Sequence, residues 1–156
     1  MRIRYVLISE GSSDDALQAH LENLCIDQGA AEVTGIAPDF GRLPDRVGHS
    51  VEQKVRAAIE LESTANLFFI HRDADDRRPE HRISEITAAV AGARLAQAHV
   101  PIVPVQATEA WLLLDESAIR RAAYRPDGTR PLGLPRPREV EKRADPKELL
   151  RTALAT

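Results

Sequence analysis

Acidic side chains recur in this sequence at points where predicted β-strands end. Four of them come directly after such strands, and they are Glu10, Asp73, Asp75 and Glu109. Carboxylates gathered without intervening bases repel one another and raise their own pKa values, unless a cation neutralises them. Oxygen ligands suit Mg²⁺ or Mn²⁺, which also bind substrate phosphates. The pattern therefore predicts a site for a divalent metal and a metal-assisted reaction at phosphorus.

Each of these acids also has an ordinary structural interpretation. Asp14 and Asp15 fall in the first turn of a predicted helix, where the helix dipole favours acids, so a capping role stays open beside a metal-binding role. The segment 73–76 is also consistent with a solvated turn. Arg72 is suited to hold a phosphate with two hydrogen bonds, and equally to pair with a neighbouring Asp. The metal interpretation rests on the joint occurrence of these acids at strand ends.

The elements that would position these acids alternate along the chain. Runs of apolar and β-branched residues predict four strands, at residues 4–9, 32–37, 66–70 and 100–105. Apolar periodicity predicts helices at residues 13–29, 51–63, 79–98 and 147–154, with a short helix beginning at Thr108. This alternation predicts an α/β fold, a mainly parallel sheet of about four strands with helices on both faces. Because all strands would end at one edge of the sheet, the four acids are expected to meet there.

Composition narrows the class of protein. The chain has 156 residues, with 21 Lys and Arg against 24 Asp and Glu, a formal charge of -3. Such a balance argues against binding nucleic acid by bulk positive charge, although a local basic face or a bridging metal stays compatible with it. The single cysteine, Cys25, excludes a disulfide framework and fits a reducing cytoplasm. No apolar run reaches the roughly 20 residues that span a bilayer, and the N-terminus lacks the pattern of a signal peptide.

The C-terminal part of the chain differs in composition from the rest. Residues 1–123 are predicted to form the α/β core, and residues 124–156 a Pro- and Arg-rich extension with a final helix, packed on or continuing the same domain. Candidates for contact with phosphate or nucleic acid are Arg42, Arg46, Arg72 and Arg121. A solvated extension is the alternative for the arginines after residue 120. The ending at Thr156 falls inside a predicted helix, which suggests that the chain continues or is truncated.

Three segments resemble the TOPRIM family of metal-dependent domains. Residues 6–14 resemble its first motif, a strand ending in Glu-Gly and followed by Ser-x-Asp or Thr-x-Asp. Residues 68–76 resemble its second motif, a strand ending in Asp-x-Asp. Residues 105–115 are similar to a Glu-Ala-Trp segment of small stand-alone TOPRIM-like proteins, and Lys147 resembles a Pro-Lys near the end of such domains. These proteins group with OLD-type nucleases and bacterial phage-defence modules.

The resemblance implies a Rossmann-like TOPRIM fold and Mg²⁺-dependent hydrolysis of phosphodiesters in DNA or RNA. It implies Glu10 as the general acid or base, or as a metal ligand, with Lys147 as a second catalytic residue. The metal ligands implied are Glu10, Asp14, Asp73, Asp75 and Glu109, for Mg²⁺ or Mn²⁺. A partner protein (an ATPase or another defence subunit) is compatible with this family, and a homodimer stays open.

This chain departs from larger TOPRIM enzymes because it carries no tyrosine domain, no ATPase domain and no Walker lysine pattern. Topoisomerase and primase activities are therefore not expected. Two further hypotheses stay open. One is a non-catalytic sensor or subunit of a defence complex, and the other is a flavodoxin-like response or cofactor domain. The absence of an evident lysine after a fifth strand argues against a phospho-receiver.

Overall fold

The computed structural model describes residues 1–43, 47–74 and 78–156, which form an α/β protein. Its four strands are β1 (Arg2–Ile8), β2 (Glu32–Ile36), β3 (Leu67–His71) and β4 (Ala98–Ile102). All neighbouring pairs are parallel, in the order β2-β1-β3-β4, so that β1 and β3 are central. This confirms the predicted fold class, a Rossmann-like parallel sheet flanked by helices.

The helices follow the strands in alternation. They are α1 (Leu17–Asp27), α2 (Val51–Leu61), α3 (Pro79–Ala93), α4 (Glu109–Leu112), α5 (Glu116–Ala122) and α6 (Pro146–Ala155). Two short 3₁₀ helices, Ser12–Ala16 and Pro137–Lys142, precede α1 and α6. None of the helices that the structure describes is long and apolar enough to cross a membrane.

The chain forms two compact units. The first unit contains Met1–Arg72 and Glu80–Ile102, and therefore the whole sheet. The second contains Asp73–Pro79 and Val103–Thr156, with the short helices of the C-terminal part. The boundary predicted near residue 123 stays a prediction.

One face of the central sheet packs on α1. Tyr5 and Leu7 of β1 point to the same side because alternate residues of a strand share a face. They form a buried cluster with Phe69 of β3 and with Leu17 and Leu21 of α1. The rings of Tyr5 and Phe69 meet edge to face, with 5.4 Å between their centroids. This cluster fixes β1 and β3 side by side, and so fixes the ends where Glu10 and Arg72 follow.

A glycine allows Tyr5 to fit between β1 and β2. Gly35 of β2 pairs with Tyr5 in the parallel register. A Cβ atom at Gly35 would lie 2.1 Å from the Tyr5 ring, well inside van der Waals contact. The Tyr5 hydroxyl then donates to Glu22 Oε1 on α1 at 3.1 Å, so this buried ring ends in a satisfied polar group. Burial and this bond raise the pKa of Tyr5.

Candidate functional site

The carboxyl ends of β1 and β3 bring together an acid and a base from the two central strands. Glu10 lies two residues beyond β1, and Arg72 directly follows β3. The Arg72 Nη1 lies 2.8 Å from Glu10 Oε1, and its Nη2 lies 3.6 Å from Glu85 Oε1 of α3. The Arg72 side chain is only 18% exposed, whereas Glu10 is 38% exposed. Arg72 thus forms ion pairs with two acids that are far away in sequence. Asp75 and Asp76 lie outside the described residues, so a pair of Arg72 with one of them stays a prediction.

A second acid and base pair lies in the same unit. Asp14, in the 3₁₀ helix before α1, places its Oδ2 3.3 Å from His71 Nδ1, the last residue of β3. His71 is buried, with 1% of its side chain exposed, and Asp14 is 12% exposed. The N-cap of this helix is Gly11, and Asp14 lies in its first turn. Its carboxylate therefore faces the end of β3, as the metal-binding interpretation requires, although a histidine now holds that position.

Lys54 of α2 completes this arrangement, and the sequence analysis did not identify it. Its Nζ donates to the carbonyl oxygens of Ser9 at 2.8 Å and of Glu10 at 3.3 Å. The ammonium also lies 5.7 Å from the centroid of the Phe40 ring, within the range of a cation–π contact. Burial lowers the pKa of Lys54, and the nearby Arg72 lowers it further, while Glu10 and Asp14 oppose the shift. One lysine thus fixes the backbone that carries Glu10.

A signal for Lys54 was present in the sequence. Lys54 follows Val51 by three residues and precedes Ala58 by four, so it falls on the inward face of α2 with these two buried residues. A lysine on such a face either extends its ammonium to solvent or finds a polar partner. Here the partners are carbonyl groups just beyond β1. The sequence alone does not show that Lys54 contacts these carbonyl groups, because the contact forms only when α2 packs on the sheet.

A cavity of about 200 Å³ opens beside this group of residues. Its polar lining comes from the ends of β1 and β2 and from α2, and it includes Glu10, Asp15, Asp39, His49 and Lys54. The buried Phe40 adds an apolar wall. Arg42, predicted to contact phosphate, pairs with Asp39 at 3.1 Å and is largely exposed. Arg46 lies outside the described residues.

The remaining predicted site residues fall in the second unit or beyond the described residues. Asp73 belongs to the second unit, and its Oδ1 is buried. Asp75 lies outside the described residues, so its proposed role as a metal ligand stays a prediction. So does the meeting of Asp73 and Glu109 with Glu10.

Glu109 and Lys147 lie together in the second unit. Lys147 Nζ is 3.8 Å from Glu109 Oε1, across the contact between α4 and α6. The Asp145-Pro146-Lys147 segment begins α6, where the Asp145 side chain accepts from the Glu148 N–H at 2.9 Å. This cap sets the start of the helix and so places Lys147 in its first turn. The two residues taken from the third and last motifs are therefore neighbours in the fold.

Two other residues of the second unit have structural contacts. The indole N–H of Trp111 and the backbone N–H of Val105 both donate to the Glu141 carboxylate, the latter at 3.0 Å. Glu141 thereby ties the 3₁₀ helix Pro137–Lys142 to α4. Arg121, a predicted phosphate contact, donates from Nη1 to Ser117 Oγ at 2.6 Å within α5.

Among the described residues, no group of three or more His, Cys, Asp or Glu side chains is arranged to hold a metal ion. Glu10 and Asp14 supply oxygen donors of the kind that Mg²⁺ prefers, but each already has a basic neighbour. The described residues of the site thus supply some of the oxygen ligands that a metal ion would need. Comparisons with protein-family models, curated proteins and solved structures find no match for this chain.

Proposed function

We propose that this protein hydrolyses phosphodiesters of DNA or RNA in a reaction that depends on Mg²⁺ or Mn²⁺, in the cytoplasm. The observation that carries the proposal is the position of Glu10. Its carboxylate follows a central strand of the sheet, lines a cavity of about 200 Å³ and is 38% exposed. In parallel α/β sheets, ligands bind at this edge. The resemblance to TOPRIM motifs, one of which includes Glu10, supports hydrolysis of phosphodiesters as the reaction.

The chain's own residues have distinct parts in this proposal. Glu10 is the group that accepts or returns a proton, since its second carboxylate oxygen is not engaged in the 2.8 Å pair with Arg72. Lys54 positions Glu10 through the backbone carbonyls. Arg72 carries a planar fork of donors that fits phosphate oxygens as well as it fits the carboxylate it now holds.

The metal would take oxygen ligands from Glu10 and Asp14, two carboxylates of the first unit that follow β1. A bound divalent ion withdraws charge from a phosphate and lowers the pKa of an attacking water. Because a bound cation and a guanidinium repel each other, we expect Arg72 to release Glu10 when such an ion binds and to turn to another anion, for which the substrate phosphate is suited. The ion pair is then the resting arrangement of the site.

A cleavage assay tests this function. Labelled single- and double-stranded DNA and RNA are incubated with the protein in Mg²⁺, Mn²⁺ or EDTA. We expect cleavage only with a metal, and a loss of about 100-fold or more in rate for Glu10→Gln, since general acid–base groups contribute about 10²–10⁴-fold. Asp73→Asn is expected to lose activity as well. Glu60→Gln, the same chemical change at an exposed position on α2, is the matched control and should cleave like the wild type.

One observation favours a second candidate, a non-catalytic TOPRIM-like subunit of a defence complex. Arg72 already neutralises Glu10, and an acid held this way is suited to a structural role. Nucleic acid or a partner protein would then be bound and not cleaved. Equal cleavage by the wild type and Glu10→Gln would exclude the assigned site. Metal-independent binding of nucleic acid without cleavage, in the isolated chain and with its partner, would favour the subunit.

A further inference from the structure

The second unit contains a cavity of its own, formed where the segment after α5 folds back on α6. Its volume is about 200 Å³. Three arginines line it, Arg120, Arg125 and Arg130, together with the hydroxyl-bearing Thr129. Ala123, Leu132 and Ala153 add carbon surface, of which Leu132 and Ala153 belong to the buried core of this unit, and Thr156 also lines the cavity. The cavity therefore combines cationic groups with an apolar floor.

One of the three arginines is fixed by its neighbours. Arg120 donates from Nε and Nη2 to Glu116 Oε1 at 2.9 and 2.6 Å, and Nη2 also donates to the Arg130 carbonyl at 2.8 Å. Its side chain is only 12% exposed. Because Glu116 neutralises this guanidinium, Arg120 acts as the scaffold that holds the Arg130 segment in place.

The other two arginines keep their charge uncompensated. Arg125 donates from Nη1 to the carbonyl of Ala155 at 3.2 Å, a contact that leaves its charge intact. Within the described part of the chain, neither Arg125 nor Arg130 has a carboxylate within ion-pair distance. Two cationic residues that line one small cavity favour an anion there, because opposite charges attract. The cavity thus has an excess of positive charge that a ligand can neutralise.

The backbone around the cavity is shaped for close approach. Tyr124, directly after α5, has φ 58°, a left-handed conformation that is uncommon for a residue other than glycine. This turn is held by the Arg125 N–H, which donates to the Arg120 carbonyl at 2.9 Å. A Cβ atom at Gly128 would lie 2.9 Å from Arg120 Nη1 and 3.2 Å from the Arg125 carbonyl oxygen, so the loop passes close to the buried guanidinium. Since the Tyr124 N–H also donates to the Arg121 carbonyl at 3.0 Å, the turn at Tyr124 is a common form of helix C-terminus, and it places Arg125 directly after α5.

We propose that this cavity binds an organic phosphate, with Arg125 and Arg130 on the phosphate group and the apolar floor against the attached carbon skeleton. Guanidinium groups bind phosphate with paired, charge-assisted hydrogen bonds. A nucleotide fits this chemistry, either free or as the phosphorylated end of a nucleic-acid strand. The site is independent of the proposed hydrolysis at Glu10, and it does not require a metal.

Calorimetry on the whole protein tests the proposal with defined probes in EDTA. They are adenosine 5′-monophosphate, adenosine, and an oligonucleotide with a 5′-phosphate or a 5′-hydroxyl. We expect the monophosphate to bind and adenosine to bind at least about tenfold more weakly, since a hydrogen bond to a charged group contributes about 1.5–3 kcal/mol. Binding of the phosphorylated oligonucleotide identifies strand ends as ligands. If the monophosphate binds and the phosphorylated oligonucleotide does not, the ligand is a free nucleotide.

Variants that remove one or two positive charges distinguish binding at this cavity from non-specific electrostatic attraction of the ligand to the protein. Arg125→Gln with Arg130→Gln should weaken binding of the monophosphate by about tenfold or more. Arg121→Gln removes the same charge from α5, at a residue that hydrogen-bonds Ser117, and should bind like the wild type. Equal weakening in both would overturn the proposal, and so would a monophosphate that fails to bind. Should the double variant unfold, the amide signals of Gly128 and Thr129 in the wild type must shift on titration, and their constancy would overturn it.

Discussion

At the scale of single residues, Lys54 joins α2 to the segment after β1 that carries Glu10. Its ammonium makes hydrogen bonds to the carbonyls of Ser9 and Glu10 and lies over Phe40. Removing the ammonium group would remove the hydrogen bond to the Glu10 carbonyl without changing the Glu10 side chain.

We therefore expect Lys54→Met to destabilise the protein by about 1–3 kcal/mol, since it leaves carbonyl acceptors without their donor. Urea unfolding monitored by circular dichroism measures this loss. Glu60→Met, at an exposed position of the same helix, should change the free energy of unfolding by less than about 0.5 kcal/mol. A Lys54→Met protein as stable as the Glu60→Met protein would show that the contacts at Ser9 and Glu10 contribute nothing.

The same variant has a dependence on pH whose sign follows from the pKa of Lys54. Burial lowers this pKa in the folded protein relative to the unfolded chain. Between the two values the unfolded chain binds more protons, so the stability of the wild type rises with pH there. The stability difference between the wild type and Lys54→Met should therefore grow in the alkaline window just below the ordinary lysine pKa. A difference that shrinks there would contradict the assigned burial.

Some of the residues of the candidate site were predicted from the sequence, and others were not. Glu10 was identified from its position after β1, and Asp14 through the resemblance to the first TOPRIM motif. Both lie beyond the carboxyl end of β1. Arg72 was expected to bind phosphate or pair with a neighbouring Asp, and the structure adds two partners that were not anticipated, Glu10 after β1 and Glu85 of α3. Lys54 was missed because its partners are backbone carbonyls 45 and 44 residues away. Sequence patterns identify side chains, whereas such contacts appear only once the helix has packed on the sheet.

At the scale of elements, the pairing of β1 with β2 includes one very close approach, between Tyr5 and Gly35. The Tyr5 ring occupies the space where a Gly35 side chain would begin. Tyr5 is fully buried and contacts both Phe69 and Glu22, so its ring has little freedom to move away.

We expect Gly35→Ala to destabilise the protein by about 1–3 kcal/mol, the usual cost of an added methyl group in a packed core. Thermal unfolding measures the change. Gly11→Ala is the control, because a Cβ atom there meets open space and its φ of -152° is available to any residue. If the two variants unfold at the same temperature, the contact between Tyr5 and Gly35 does not limit the pairing of β1 and β2.

Element prediction succeeded where the periodicity was strong. All four strands and the helices α1, α2, α3, α4 and α6 lie within a few residues of their predicted positions. Two elements were missed, α5 and the 3₁₀ helix Pro137–Lys142. Both are short and lie beside or within a Pro- and Arg-rich segment, where packing on α6 and the contacts of Glu141 provide the order that local sequence lacks.

At the scale of the whole molecule, charge is unevenly divided. Residues 103–156 contain ten Lys and Arg against eight Asp and Glu, a formal charge of +2, while residues 1–102 carry -5. The total of -3 therefore conceals a C-terminal part that is mildly basic. A local basic face was anticipated from the sequence. The arrangement of Arg125 and Arg130 around a cavity was not, because it depends on the turn after α5 and on the position of α6.

The central claim is that Glu10 belongs to a divalent-metal site of an enzyme acting on phosphodiesters. A crystal structure of the whole protein grown with Mn²⁺, with anomalous data that locate the ion, tests it most directly. We predict an ion bonded to the Glu10 carboxylate, with Arg72 moved away from the 2.8 Å contact that it makes here. A map without an ion at the carboxyl end of β1, in which Arg72 still holds Glu10, would contradict the claim.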